Sequence, residues 1–306
     1  MATHTTPNEL PWVTLVTPAY NQGEYLAEVI ESVLAQDYPR LEYIVIDDGS
    51  TDATPAVLKR YDGRLRHERH DNIGQARTLN KGWSMARGTL IGYLSSDDRL
   101  EPKAVSRLVQ ALQEHPGAAV AYCDFTLIDT QGRSFRRVQA EDFDADRLRI
   151  DLVYQPGPGA LFRREVFDRT GGWAEHLRQV PDFEFWLRAS RHGDFVRVPE
   201  SLTQYRIHEG SATFRQTTPQ RSMEIVGVMR SHWGNDTGSN VARSMASAHL
   251  IAAKSHAQSG RFGEAIAAWQ AALLEHPARA LSASAWRMLL SGLLRRRVHR
   301  AQRRER

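Results

Sequence analysis

One cysteine, Cys123, stands among 306 residues, so the chain has no internal disulfide and suits a reducing compartment. Its stability must come from buried apolar surface, for which the length is ample. No apolar run approaches the roughly 18 residues that suggest a spanning helix. The opening MATHTTPNELPW has neither the basic start nor the apolar stretch of a secretion signal, and the chain reads as cytoplasmic. No G-x-G-x-x-G follows an expected strand, which argues against a dinucleotide oxidoreductase. A basic body is missing too. The net charge of +4 is set by the final twelve residues, RRRVHRAQRRER, with seven arginines against one glutamate. The rest of the chain is slightly acidic, which gives no support to nucleic-acid binding.

What is present is an alternation. WVTLVT (12–17) reads as a strand, and EYLAEVIESVLAQ places Tyr25, Leu26, Val29, Ile30, Val33 and Leu34 on one helical face. EYIVID (42–47) is a second buried strand, a short one follows near Leu65–Glu68, and 74–86 is helical. LIGYL ends another strand, PKAVSRLVQALQEHP another amphipathic helix, and AAVAYCDF another strand. Strand–helix alternation predicts an α/β layer with a mostly parallel sheet, and right-handed crossovers put the strand C-termini on one edge, where ligands bind. Three polar clusters each follow such a strand: TPAYN (17–21), DDGSTD (47–52) and SSDD (95–98). Adjacent carboxylates with no basic residue between them need a compensating charge from solvent, an arginine or a metal ion. Taken alone, DDGSTD is also ordinary turn and helix-capping chemistry. Asp182, at the start of the helix expected over DFEFWLRASRHG, is likewise a good cap residue, and the helix N-terminus favours its ionised form. DFVRVPESLTQYRIH reads as two short strands, and the chain beyond 215 as alanine-rich helix.

VTLVTPAYNQGEYLAEVIESVLAQDYPRLEYIVIDDGSTD, followed by NIGQARTLNKGWSMARGTLIGYLSSDD, resembles the family 2 glycosyltransferases, whose fold is GT-A. The similarity continues through PGALFRREVFDRTGGW, PDFEFWLRASRHG and YRIHEGSAT. It implies a GT-A domain over 12–214, preceded by an arm over 1–11 and followed by a helical region over 215–294 and a basic tail over 295–306. By that resemblance Thr17, Ala19 and Tyr20 line a nucleobase pocket, Asp48 accepts a hydrogen bond from the base with Asp47 beside it, and Gly74 and Arg77 sit near the nucleotide. Asn80 helps hold their helix. Asp97 and Asp98 fill the place of the family's acidic metal motif. Ser96 occupies the first position of that motif, which leaves Asp98 as principal ligand and Asp97 as a supporting or ribose contact. The cation is Mn²⁺ or Mg²⁺, with His208 as a further contact. Asp182 takes the place of the catalytic base, with Glu184 as its rival. Trp173 and Trp186 are acceptor-site candidates, set against the plainer reading that Trp186 is core. The Gly–Pro run PGPGALF suits close approach of a donor sugar.

The implied reaction is an inverting transfer of one sugar from a nucleotide-diphosphate sugar, UDP-linked by preference, to a hydroxyl of a glycan or lipid-linked acceptor in cell-surface polysaccharide assembly. With neither Q-x-x-R-W after Asp182 nor membrane spans, single-sugar addition is favoured over processive synthesis. Physical chemistry supports the cation: a diphosphate approaching Asp48, Asp97 and Asp98 is repelled unless one intervenes. A nucleotidyltransferase is disfavoured, because TPAYNQGEY offers no Gly-rich loop with Arg and Lys. The remaining alternative is a nucleotide-sugar-binding or scaffold protein of the same fold without chemistry. In the helical region, Gly260, Ala265, Trp269, Ala272 and Pro277 fall at the spacing of one tetratricopeptide unit, a pattern that a plain helical hairpin also explains. Trp286, Leu289, Leu290, Leu293 and Leu294 before the arginine cluster suit either a helix lying on an anionic membrane surface or a docked helix with a solvated tail.

Overall fold

The structure, a computed structural model, describes residues 10–153, 156–208, 210–211 and 217–291. The expected basic tail over 295–306 lies outside them, as do residues 292–294 of the proposed membrane-surface helix and all but two residues of the 1–11 arm. The chain divides into two compact units. The first comprises Met1–Phe143, Gln155–Glu175 and Phe185–His208, and the second Asp144–Tyr154, His176–Glu184 and Glu209–Arg306.

The first unit is built on one sheet. Its elements are β1 (Val13–Ala19), α1 (Leu26–Leu34), β2 (Leu41–Asp48), α2 (Thr54–Lys59), β3 (Arg66–His70), α3 (Gln75–Met85), β4 (Leu90–Tyr93), β5 (Arg99–Leu100), α4 (Ala104–Glu114), β6 (Ala118–Ile128), β7 (Ser134–Val138), β8 (Leu161–Arg163), α5 (Arg164–Thr170), α6 (Pro181–Ala189) and β9 (Asp194–Arg206). Helix α6 straddles the division, its first four residues grouping with the second unit. Strand order is β3-β2-β1-β4-β8-β6-β9-β5, with β7 paired to β6. The first four strands are parallel, and then the sheet becomes mixed: β8 runs antiparallel to both β4 and β6, whereas β9 is parallel to β6. DFVRVPESLTQYRIH forms one long strand rather than two short ones. Its register against β6 shifts near Cys123–Phe125, so the break visible in the sequence is an irregularity within a continuous strand.

Helical periodicity explains how the sheet is covered. Leu26, Val29, Ile30 and Val33 of α1, and Val105, Leu108, Val109 and Leu112 of α4, recur at three- and four-residue intervals and are buried in one core layer. Each such side chain stabilises the fold by about 1.5–3 kcal/mol relative to exposure. The other layer centres on Trp83, which is fully buried and donates Nε1–H to the Gly92 carbonyl at 3.1 Å.

The second unit is helical: a π-helical turn (Arg147–Asp151), α7 (Pro219–Trp233), α8 (Ser239–Gln258), α9 (Phe262–Glu275) and α10 (Pro277–Ala280). It takes in three stretches that the sequence reading assigned to the first domain, beginning at Asp144, His176 and Glu209. Arg243 on α8 forks onto the Asp151 carboxylate at 2.8 and 3.0 Å, and the Ser244 hydroxyl donates to the Arg149 carbonyl. The Glu224 carboxylate on α7 accepts from the amides of Arg178 and Gln179. Helices α8 and α9 form a hairpin in which Ala265 and Ala272 are buried and Trp269 packs against the alanine-rich core. No helix among the described residues is long and apolar enough to cross a membrane.

Candidate active site

Because β1, β2 and β4 are parallel neighbours, the loops after them share one sheet edge. The first two loops are tied by Asn21: its amide donates to Ser50 Oγ and its Oδ1 accepts from the Thr51 amide. Asp52 Oδ2 accepts from the Gly23 amide at 2.9 Å. The DDG turn depends on Gly49, whose φ is +75° and whose missing Cβ would stand 2.6 Å from the Asn72 amide nitrogen. Asp47 Oδ1 accepts from the Ser50 amide, while its Oδ2 lies 3.5 Å from Arg69 Nε. Asp48 is buried and its two carboxylate oxygens accept from the amides of Ile73 and Gly74, at 2.7 and 3.0 Å. These bonds hold the third loop, and with it the start of α3, against the second. His70, at the end of β3, is beside this carboxylate: Nδ1 is 3.5 Å from Asp48 Oδ1, and Nε2 is buried without a hydrogen-bond partner.

The SSDD turn carries the second half of the site. Asp98 is 1% exposed. Its Oδ1 accepts from the Arg206 amide at 2.9 Å, whereas Oδ2 is buried with no hydrogen-bond partner. Burial, reinforced by the neighbouring Asp97 carboxylate, pushes the Asp98 carboxyl well above the usual carboxylate range. Asp97 Oδ2 lies 2.8 Å from His208 Nε2, and the His208 ring packs at 5.1 Å on the Tyr25 ring. A buried carboxylate oxygen with no protein donor suits a cation. Among the described residues no three His, Cys, Asp or Glu side chains form a group able to hold one. Mg²⁺ commonly takes one or two carboxylates and completes its shell with phosphate and water, so Asp98 fits that pattern.

The remaining candidates divide by exposure. Tyr20, at the end of β1, is 49% exposed and presents a free ring face at the rim. Thr17 and Ala19 are fully buried, and the Thr17 hydroxyl accepts from Tyr43 at 3.0 Å, so neither side chain is presented at the rim. Arg77 is exposed and paired with Glu175. Asn80 exchanges hydrogen bonds with the Trp173 backbone, its Nδ2 donating to the carbonyl and its Oδ1 accepting from the amide. Trp173 corrects the acceptor-site expectation, and Trp186 follows the plainer reading of a core residue. They are 4% and 2% exposed, and their rings are covered by Trp83 and Tyr93 and by Phe162, Phe185 and Phe195 respectively. Neither offers a face to a sugar. The glycines of PGPGALF also serve packing: a Cβ on Gly159 would meet Thr203 Oγ1 at 2.6 Å, and one on Gly157 the Phe125 ring. Asp182 and Glu184 stand in the first turn of α6 and belong to the second unit, where Asp182 Oδ1 accepts from the Phe183 amide.

The sequence reading passed over Arg206, the largest fully buried charged side chain of the unit. Its signal was an arginine inside an apolar-patterned strand, two residues before His208.

The model of the family described as Glycosyl transferase family 2 matches residues 14–171. The glycosyltransferase GlyG of Streptococcus pneumoniae is 32% identical over 241 residues, 71% of this chain and 77% of its own. An uncharacterised glycosyltransferase of Rickettsia typhi is 28% identical over 210 residues, 66% of each chain, so this chain spans just under two thirds of that relative. Among solved structures, Staphylococcus aureus TarS 1–349 in complex with UDP-GlcNAc superposes with a TM-score of 0.67 at 18% identity, over 96% of this chain and 92% of that one. A mannosyltransferase of Pyrobaculum calidifontis, in complex with GDP-Man and Mn²⁺, gives a TM-score of 0.60 at 19% identity, over 95% and 87%.

Proposed function

The chain belongs to glycosyl transferase family 2 and has the GT-A architecture, and from that premise we propose that it transfers a single sugar from a nucleotide-diphosphate sugar to a hydroxyl group. The donor is a UDP-sugar by preference, the acceptor a glycan or lipid-linked saccharide of cell-surface polysaccharide assembly, and the anomeric configuration is inverted. The observation that carries this reading is Asp98 Oδ2: a carboxylate oxygen sealed from water at the ligand-binding edge of the sheet, with no protein donor. A Mn²⁺ or Mg²⁺ ion bound there supplies charge neutralisation as the nucleoside diphosphate leaves. The Mn²⁺ and GDP-Man of the Pyrobaculum neighbour and the UDP-GlcNAc of TarS support a cation and a donor of these classes.

The side chains then take these parts. Asp48 shapes the base pocket by holding the amides of Ile73 and Gly74, and the exposed Tyr20 ring packs on the base. Asp98 binds the cation and His208, oriented by Asp97, faces the diphosphate. Arg77 exchanges Glu175 for donor phosphate. Asp182, assigned by the family motif, accepts the proton of the acceptor hydroxyl as that oxygen bonds to the anomeric carbon and the bond to the diphosphate breaks. Glu184 assists at the acceptor.

Release of free nucleoside diphosphate from UDP- and GDP-sugars, assayed with Mn²⁺ and glycan acceptors, tests the reading. The wild-type protein turns over at least one donor, and Asp182→Asn lowers kcat by about 100-fold or more while binding the nucleotide as before. Nucleotide binding without turnover of any donor would instead assign a binding protein of the same fold.

A further inference from the structure

We propose that Arg206 is a positioning residue of the transfer site, its buried guanidinium fixing the Asp97–Asp98 turn so that Asp98 Oδ2 stays without a protein donor and available to a divalent cation; the inference rests on the glycosyltransferase reading. Arg206 is 0% exposed at the end of β9. Its Nε donates to the Asp97 carbonyl at 2.9 Å, and its Nη1 to the carbonyls of Asp129 and Thr130, at 3.1 and 3.2 Å, in the turn between β6 and β7. Its Nη2 donates to Glu28 Oε2 on α1 at 2.7 Å. The guanidinium carbon lies 4.6 Å from the Tyr25 ring centroid, within cation–π range.

These contacts join every piece of the acidic turn. The Arg206 amide holds Asp98 Oδ1, its side chain holds the Asp97 backbone, and Tyr25 lies against both Arg206 and His208. The β6–β7 turn is clamped a second time, because Arg99 donates to the Gly132 carbonyl and shares Glu28 Oε2. A fully desolvated cation is retained only when its donors are met, and here a carboxylate and three carbonyls meet them. The planar fork is essential. A lysine ammonium keeps the charge but cannot reach the Asp97 carbonyl, the Asp129 and Thr130 carbonyls and the Glu28 carboxylate together. Without the fork, the Asp97–Asp98 turn is free to rotate its carboxylates toward one another's donors, closing the open oxygen. Positioning of this kind, by groups that hold a metal ligand from behind, commonly changes metal affinity by 10–100-fold.

The test is a Mn²⁺ titration followed by electron paramagnetic resonance of the free ion, in the presence of UDP or GDP, on the wild type, Arg206→Lys and Glu28→Gln. Thermal unfolding is run in parallel as the check on folding. Arg206→Lys is expected to weaken Mn²⁺ binding at least 10-fold, with kcat reduced and KM for acceptor unchanged. Glu28→Gln, whose site is half-exposed and folds readily, is expected to weaken it a few-fold in the same direction. Folded Arg206→Lys binding Mn²⁺ within twofold of wild type overturns the proposal. So does an unchanged Glu28→Gln, should Arg206→Lys fail to fold. Failure of the wild type itself to bind Mn²⁺ with either nucleotide overturns the cation-dependent part of the proposed function together with it, a different result from wild-type binding that the variants share.

Discussion

The site turns on single atoms whose surroundings decide their role. Asp48 and Asp98 are both buried carboxylates after parallel strands, yet they differ in the donors they receive. Asp48 accepts from two backbone amides, and Asp98 from one on Oδ1 only. The first therefore fastens the loop before α3 to the DDG turn, and the second keeps one oxygen without a protein donor. Gly49 shows the same economy. Gly49→Ala places a Cβ in a left-handed conformation costing about 1–2 kcal/mol, against the Asn72 backbone. It is expected to lower the unfolding midpoint by several degrees and to weaken nucleotide binding, both read in one thermal-shift series with and without UDP. Unchanged nucleotide affinity in this variant would separate the DDG turn from the nucleotide site. At this scale the placement of the acidic residues behind strands was legible, because apolar runs that end in carboxylates mark strand ends. Trp173 misled, whereas Trp186 was read as core at least as readily. An aromatic ring suits a sugar and a core equally, and only packing, here around Trp83 and Phe162, tells which. Arg206 was harder to read: three of its partners are main-chain carbonyls, which no side-chain pattern announces, and the fourth is the distant Glu28 carboxylate.

Elements behave as their periodicity dictates where one face is covered by a neighbour close in sequence. The strands and helices through β4, with α4 and the start of β6, appear within a few residues of expectation, because alternating apolar runs and amphipathic helices cover one another locally. The long pairing of β9 with β6 joins residues some 75 apart and carries register shifts, so its sequence resembles two strands. Asp124 anchors that pairing: it is buried, forks with Arg197 at 2.9 and 3.1 Å and accepts from the Ala140 amide. Asp124→Ala leaves the nearly buried Arg197 guanidinium with only the exposed Asp142 carboxylate and is expected to cost about 3 kcal/mol, seen as a lower urea midpoint at constant m-value. In α8, burial lowers the pKa of His249 and of His256 below the ordinary 6.5, with Arg261 adding to the effect at His256. The unfolded chain therefore takes up protons first, so stability is full above about 6.5 and falls as pH drops through 6.5 toward the folded-state values. His249→Leu should flatten that fall between pH 7.5 and 5, and an unchanged slope would assign the acid sensitivity elsewhere.

For the whole molecule, family membership and the α/β class were readable because the rim motifs recur in order along the chain, each behind a strand. The division into units was less so. Residues 144–154 and 176–184 look like loops of the first domain, yet they join the helical unit through Arg243, Ser244 and Glu224, contacts made by residues 45–95 positions away. The central claim of the proposed function is that a divalent ion at Asp98 strengthens binding of a nucleoside diphosphate. The direct measurement is calorimetric titration of UDP and GDP into the wild type and Asp98→Ala, each with Mn²⁺ and with EDTA. The account predicts wild-type binding at least 10-fold tighter with Mn²⁺ than with EDTA, and no gain from Mn²⁺ in Asp98→Ala. Equal affinity of the wild type in Mn²⁺ and in EDTA, or a full Mn²⁺ gain in Asp98→Ala, would contradict it.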